Sequence, residues 1–285
     1  MSLSLNSSYA YSLEKVSIYI GIPILIGGCF GNILNLIVFL SLKTFRENSC
    51  SFYFIIISFV NLCQLLSGLI QRILLNGFDY DLTIISSNIC KLFQYSLQIF
   101  PLISITCLCL ATIDQYFSTS TRFRYRKLNN IHLTYRLLSF FIILWLLHGI
   151  PCLIYFDIIQ SKITKKYRCR IINENYSKYF IYCYSTILTG YLPIILTILF
   201  GLLSYYNVRY VSFESISIIR RELDKQLTTM VLLLDIFNII ALMPYPIIII
   251  ITSLTKITKD PSINSTINFI NSLTIYFYYL YFAVS

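Results

Sequence analysis

The sequence predicts an all-α fold, a seven-transmembrane helix bundle. Three observations predict it. Hydrophobic residues make up 57% of the chain and charged residues only 12%, where a soluble domain carries about a quarter charged residues. The apolar residues gather into runs long enough to cross a hydrocarbon layer about 30 Å thick, which takes about 20 residues of helix. Polar punctuation divides these runs into seven. They lack the short alternating segments, about ten residues each, of a membrane β-barrel, and in lipid a helix satisfies its own backbone groups.

Taken in order, the spans cover about residues 16–42, 51–75, 89–118, 137–155, 180–208, 227–254 and 267–285. Residues 1–15 precede the first, and their start lacks the basic residues, apolar centre and cleavage site of a secretory signal. The first span is therefore expected to act as its own uncleaved signal. The second carries Asn61, and the third ends in Asp114, Gln115 and Tyr116, where apolar chain turns basic. The fourth holds the single tryptophan, Trp145, and the sixth carries Asp235 and Pro244. The seventh is crowded with Tyr276, Tyr278, Tyr279 and Tyr281. Between the fourth and fifth, YRCRII alternates as a short strand would. No long repeat, Pro-rich or Gly/Ser-rich linker or low-complexity tail divides the chain, so residues 1–285 read as one domain.

A net charge of +10 raises the question of nucleic acid, but the basic residues are dealt out among loops separated by spans. No continuous basic face is left to track a phosphate backbone. Lys and Arg divide evenly between the two sets of loops, so the positive-inside rule does not orient the chain. Glycosylation acceptors do: Asn6, Asn175 and Asn264 each begin an N-x-[ST] tripeptide on the amino-terminal side, and the opposite loops contain none. This favours an extracellular amino terminus in a multi-pass plasma-membrane protein. Among the nine cysteines, Cys29, Cys63, Cys107, Cys109, Cys152 and Cys183 lie in or beside apolar spans and read as small buried hydrophobes. Cys50 falls at an inner loop. Cys90, at the outer start of the third span, and Cys169, in the loop before the fifth, both face the oxidising side, and a disulfide between them is expected.

With these features, the chain resembles the rhodopsin-like (class A) family of G-protein-coupled receptors, along nearly all its length. Gly31-Asn32 matches the family's first-helix pair, Asn61 stands where it usually has aspartate, and Trp145 and Pro193 match its fourth-helix tryptophan and fifth-helix proline. ALMPY, Ala241 to Tyr245, resembles its Cys-Trp-x-Pro-Tyr stretch, keeping Pro244 but with Leu242 for tryptophan. Gln115 follows Cys90 at the interval between the family's third-helix cysteine and the arginine of its Asp-Arg-Tyr motif.

The resemblance implies a receptor that binds an extracellular ligand and signals to a heterotrimeric G protein. It makes Asp114, Gln115 and Tyr116 a variant of that motif, which in the family restrains the resting state and receives the G protein. Glutamine hydrogen-bonds but carries no charge, so weaker restraint or altered coupling is expected. Asn61 offers an oxygen without charge where the family's aspartate helps hold sodium, so strong sodium regulation is not expected. Asn32 and Asn61 are thus polar residues of the bundle core. Asp235, at a costly depth in the sixth span, is a functional candidate whose expected partners are Asn238 or a neighbouring helix. The ligand side falls to Gln94 and Gln98, four apart on one face of the third helix, with Pro101 below as a candidate kink. The basic residues around YRCRII favour a peptide ligand, acidic or amidated, through steering. On the inner side, Arg122 to Lys127 would suit anionic lipid headgroups.

Catalysis finds no support. The two histidines are His132 in an inner loop and His148 alone on an apolar span, and neither a paired metal spacing nor a G-x-S-x-G nucleophile turn is present. No metal or cofactor is expected. A transporter is the competing class, disfavoured because no related halves are visible. The family's seventh helix closes with Asn-Pro-x-x-Tyr, and YFAVS stops about where that motif begins. A receptor fragment, or a degenerate receptor that does not signal, therefore stays open as a further alternative.

Overall fold

The computed structural model describes residues 11–41, 49–120, 123–126, 130–160, 167–210, 218–255 and 261–284. Seven helices carry the chain: α1 (Tyr11–Ser41), α2 (Ser49–Phe78), α3 (Ser87–Thr119), α4 (Ile131–Tyr155) and α5 (Glu174–Val208), then α6 and α7. The sixth, α6, runs as Ile218–Leu242 and, past Met243, as Pro244–Thr255, and α7 is Pro261–Val284. Among the described residues, six helices are long and apolar enough to cross a membrane, and the apolar part of α7, Phe269–Val284, is shorter. Most helices begin before the predicted spans, because hydropathy registers the lipid-facing part and capping registers the helix. Asn130 starts α4 by accepting the His132 N–H at 3.0 Å, and Asn173 starts α5 by accepting the Tyr176 N–H at 3.1 Å. His132 is thus in the first turn of α4 rather than a loop, and Cys50 is buried in the first turn of α2.

The third helix is the central pole. It packs on α2, α4, α5 and α6, and 72% of its most apolar window is buried, against 17% in α1 and in α4. Leu102, Ile105 and Leu108 are among its fully buried side chains. By contrast α1 and α4 present Ile26, Phe30, Ile37, Phe140, Ile143 and Leu147 outward. Such a surface would be a liability in water; lipid tails cover it at no cost. Pro101 lies within α3, which continues as helix on both sides of it. The break falls at Pro244 instead, where the missing N–H separates the two halves of α6. Gly68 permits a close approach within α2, since a methyl there would overlap the Tyr279 ring of α7 and Leu97 of α3.

At one end of the bundle, β1 (Phe156–Gln160) pairs antiparallel with β2 (Tyr167–Ile171), setting Ile158 opposite Cys169. The second strand is the one the alternation predicts; the first, FDIIQ, reads as a continuation of the apolar span and is legible only from its partner. Cys169 is disulfide-bonded to Cys90 with the Cα atoms 5.7 Å apart, so the hairpin is fastened to the first turn of α3. A second tie runs from the Ser87 hydroxyl, which donates to Asp157 at 2.7 Å. This hydrogen bond and one from the Ile158 N–H hold the Asp157 carboxyl below its ordinary pKa.

Candidate functional site

Beneath the hairpin lies a cavity of about 480 Å³, a size that suits a small ligand or the end of a peptide. Its walls come from α2, α3, α5, α6, α7 and both strands. Tyr184, Tyr245, Tyr278 and Tyr279 give it an aromatic wall, and the Tyr245 and Tyr278 rings lie 4.9 Å apart. Among the described residues two cations line it, Arg72 on α2 and Arg170 beside the disulfide, and no carboxylate does. Arg72 lies near the Tyr279 hydroxyl. Gln64, only 2% exposed, also lines the cavity, and its side-chain oxygen accepts no hydrogen bond.

The two glutamines of α3 part company. Gln94 lines the cavity, whereas Gln98 is 1% exposed and turns to α4 and α5. The Gln98 amide oxygen accepts from the Cys152 thiol and, at 3.2 Å, from the Tyr176 hydroxyl. Its amide nitrogen lies 3.2 Å from Nδ1 of His148, whose Nε2 meets the Tyr179 hydroxyl. An amide N–H can only donate, so Nδ1 accepts and Nε2 carries the proton. Gln98, expected to share the ligand face with Gln94, is thus hydrogen-bonded within the bundle, to His148, Cys152 and Tyr176. His148 is not alone on its span, and Cys152 is a member of a polar cluster rather than a plain hydrophobe. The side chains at Arg72 and Gln64 escape sequence reasoning for a physical reason: polar groups spaced along α2 look like span edges until the helix places them on the cavity wall. An ionisable residue inside an apolar run is the signal that could have found Arg72.

Toward the opposite end, polar side chains join helices in pairs. The Asn32 amide donates to the carbonyls of Gly28 at 2.8 Å and Phe282 at 2.9 Å, tying α1 to α7. Ser104 donates to Asn61 at 2.6 Å and lies 3.1 Å from the Tyr281 hydroxyl, so α2, α3 and α7 meet at one hydroxyl. Deeper still, the Thr112 hydroxyl lies 3.1 Å from each oxygen of Asp235 and 3.0 Å from the Leu108 carbonyl, sharing its one hydrogen among them. The expected partner Asn238 plays no part: it is fully buried, and neither end of its amide has a hydrogen-bonding partner.

At the end of α3, Asp114 is buried and faces Tyr53. The Gln115 side-chain oxygen accepts from Thr228 of α6 at 2.8 Å. Tyr116 stacks among Phe200 and Tyr125, with centroids 5.6 and 6.2 Å away. Leu242, in the place of the family's tryptophan, is 1% exposed. Of the acceptor asparagines, Asn175 is exposed in the first turn of α5, Asn6 lies outside the described residues, and Asn264 is described at the backbone only, within α7. Most of the basic stretch Arg122 to Lys127 also lies outside what is described at side-chain level.

A family model described as 7 transmembrane receptor (rhodopsin family) matches residues 31–284. The chain belongs to the rhodopsin family of seven-transmembrane receptors. No curated protein matches it. This is a receptor family, not an enzyme family, and the fold is the membrane-spanning bundle the sequence predicts. As a rhodopsin-family receptor the chain has the features of its sequence in place along the bundle: the Cys90–Cys169 bond at the hairpin, the Asn32 tie between α1 and α7, and the Pro244 break in α6.

Proposed function

We propose that this receptor stands in the plasma membrane with its amino terminus and hairpin outside, binds an extracellular ligand in the tyrosine-walled cavity, and activates a heterotrimeric G protein at the opposite end. The observation that carries this reading is that one helix serves both ends. Gln94 of α3 lines the cavity and Gln115, about six turns on, is hydrogen-bonded to α6. Displacing α6 about its Pro244 break would part Gln115 from Thr228 and open the face where Asp114, Tyr116 and Asp235 lie. A peptide is the favoured ligand, because the cavity is roofed by a hairpin carrying Arg168 and Arg170, which would steer an acidic partner. Asn6, Asn175 and Asn264 are the proposed glycosylation acceptors.

The test is nucleotide exchange on a panel of purified heterotrimeric G proteins, using membranes that contain the full chain and are challenged with fractionated extracellular peptides. Saturable, peptide-dependent exchange supports the receptor reading. Peptide or substrate uptake without exchange would hand the case to a transporter. A folded, disulfide-bonded protein that provokes no exchange from any member of the panel would mark a degenerate receptor.

A further inference from the structure

We infer that the ligand presents a carboxylate, the free carboxyl terminus of a peptide, to Arg72 and Arg170, and the N–H of its last residue to the side-chain oxygen of Gln64. This rests on the reading of the cavity as the ligand site and goes beyond it by choosing between an acidic and an amidated end. Arg72 and Arg170 line one cavity, and among the described residues no carboxylate lines it with them. Among the described residues, Asp81, Asp157 and Glu174 are engaged elsewhere. Asp81 accepts from Gln71 at 2.7 Å and from the Thr83 hydroxyl at 2.6 Å, Asp157 accepts from Ser87, and Glu174 pairs with Lys178 at 3.0 Å on the surface. Among the described residues neither arginine is paired with a carboxylate, and the phenol that Arg72 lies near, Tyr279, cannot neutralise it.

A guanidinium presents a fork of donors that matches a carboxylate in a way no neutral amide does, and such charge-assisted bonds are about twice as strong as neutral ones. An amidated end would leave both cations uncompensated as the ligand sealed the cavity, a desolvation cost without return. Gln64 adds the second requirement. Its side chain lines the cavity and its oxygen is buried without a hydrogen-bonding partner; a small side-chain shift toward the ligand would let a peptide N–H next to the terminal carboxylate satisfy it. The Tyr278 and Tyr279 rings beside it suit an apolar or aromatic last side chain.

The experiment uses the full chain in lipid nanodiscs and four probes: N-acetyl-Gly-Phe as the free acid, that acid methylated at the Phe nitrogen, the parent peptide as its carboxamide, and N-acetyl-Phe-Asp carboxamide, which carries its acid on a side chain. Affinities are read by ligand-observed NMR. The free acid is expected to bind at least tenfold more tightly than its carboxamide. That preference should fall below threefold in Arg72→Gln and in Arg170→Gln, persist in part in Arg72→Lys, and shrink as salt rises. Methylating the Phe nitrogen of the free acid should weaken binding several-fold in the wild type and leave Gln64→Leu unchanged. Each variant is first shown to keep the wild-type melting temperature and its disulfide, and Arg170→Gln, on the hairpin, serves if Arg72→Gln fails this check. Equal binding of acid and carboxamide, survival of the preference in both glutamine variants, tighter binding of the aspartyl peptide, or no binding of the free acid to folded wild type would each overturn the inference. Peptide-driven nucleotide exchange that ignores Arg72→Gln would sink this assignment and leave the receptor reading standing; acid-selective binding without exchange would do the reverse.

Discussion

Thr228 of α6 donates a hydrogen bond to the side-chain oxygen of Gln115 on α3 at 2.8 Å, and both residues are 2% exposed. The same oxygen is 3.5 Å from the Ser118 hydroxyl. This is a neutral clasp between the helix that reaches the cavity and the helix that breaks at Pro244. A neutral hydrogen bond contributes about 0.5–1.5 kcal/mol, and a charge-assisted one roughly twice that. Such a clasp would hold α6 by about 1 kcal/mol less than an arginine–carboxylate pair would. Thr228→Val should raise basal nucleotide exchange several-fold, up to roughly tenfold, since about 1.4 kcal/mol corresponds to a factor of ten. Unchanged basal exchange in a folded Thr228→Val receptor would mean that the clasp does not restrain α6.

The disulfide should behave as a single unit. Cys90→Ser and Cys169→Ser are each expected to cost about 2–4 kcal/mol, and the double variant no more than either single one. Thermal melting of the three proteins checks this; an additive loss would show that the two thiols act independently. The hairpin, released from α3, should also expose Ile158 and Ile171 to faster hydrogen exchange.

Asp235 and Asn238 lie one turn apart in α6 with opposite accounts. Thr112 is the hydroxyl that serves Asp235, so Thr112→Val should destabilise by about 1–3 kcal/mol by stranding a buried acceptor. Asn238 has no partner to lose, so Asn238→Leu should be neutral or stabilising, by up to about 2 kcal/mol. Chemical-denaturation midpoints would separate the two. A large loss in Asn238→Leu would show that its amide serves a function the resting bundle does not use.

Sodium should matter little. The polar junction of Asn61, Ser104 and Tyr281 contains no carboxylate, and Ser104 is already bonded to Asn61, so a monovalent cation finds neither charge nor free oxygens enough to pay for its dehydration. Replacing sodium chloride by choline chloride is expected to leave the melting temperature within about 1 °C. A sodium-dependent rise of several degrees would contradict this.

Acid should loosen the hairpin through Asp157. Its carboxyl is held below the ordinary pKa by the Ser87 hydroxyl and the Ile158 N–H. A depressed folded-state pKa gives stability that is complete above the unfolded carboxylate value, about 4, and lost as pH falls through the lower folded value. Wild type and Asp157→Asn should therefore differ in hairpin proteolysis at pH 6 and converge as the pH falls through the lowered folded-state value. Parallel curves across that window would exclude Asp157 as the cause.

Much of the fold was legible because lipid imposes long, unambiguous runs. The seven helices, the strand through Cys169 and the Cys90 pairing all follow from apolar length, alternation and compartment. The chemistry of the cavity was less legible. Gln94 and Gln98 share a face by spacing, yet the helix rotates Gln98 toward His148 and Cys152, and spacing alone cannot say which neighbour a polar face meets. Arg72 stood in plain view in the second run, but only the fold shows that α2 carries it inward to Tyr279. Asp235 was suspect on cost alone; that Thr112 rather than Asn238 lies against it depends on the relative rotation of α3 and α6, which no single helix encodes.

The most direct measurement is nucleotide exchange by purified G protein on the full chain in nanodiscs, wild type beside Thr228→Val, with the disulfide verified in both. The account predicts measurable basal exchange in the wild type and a several-fold higher rate in the variant. No exchange above the G protein's own rate in either folded protein would contradict it.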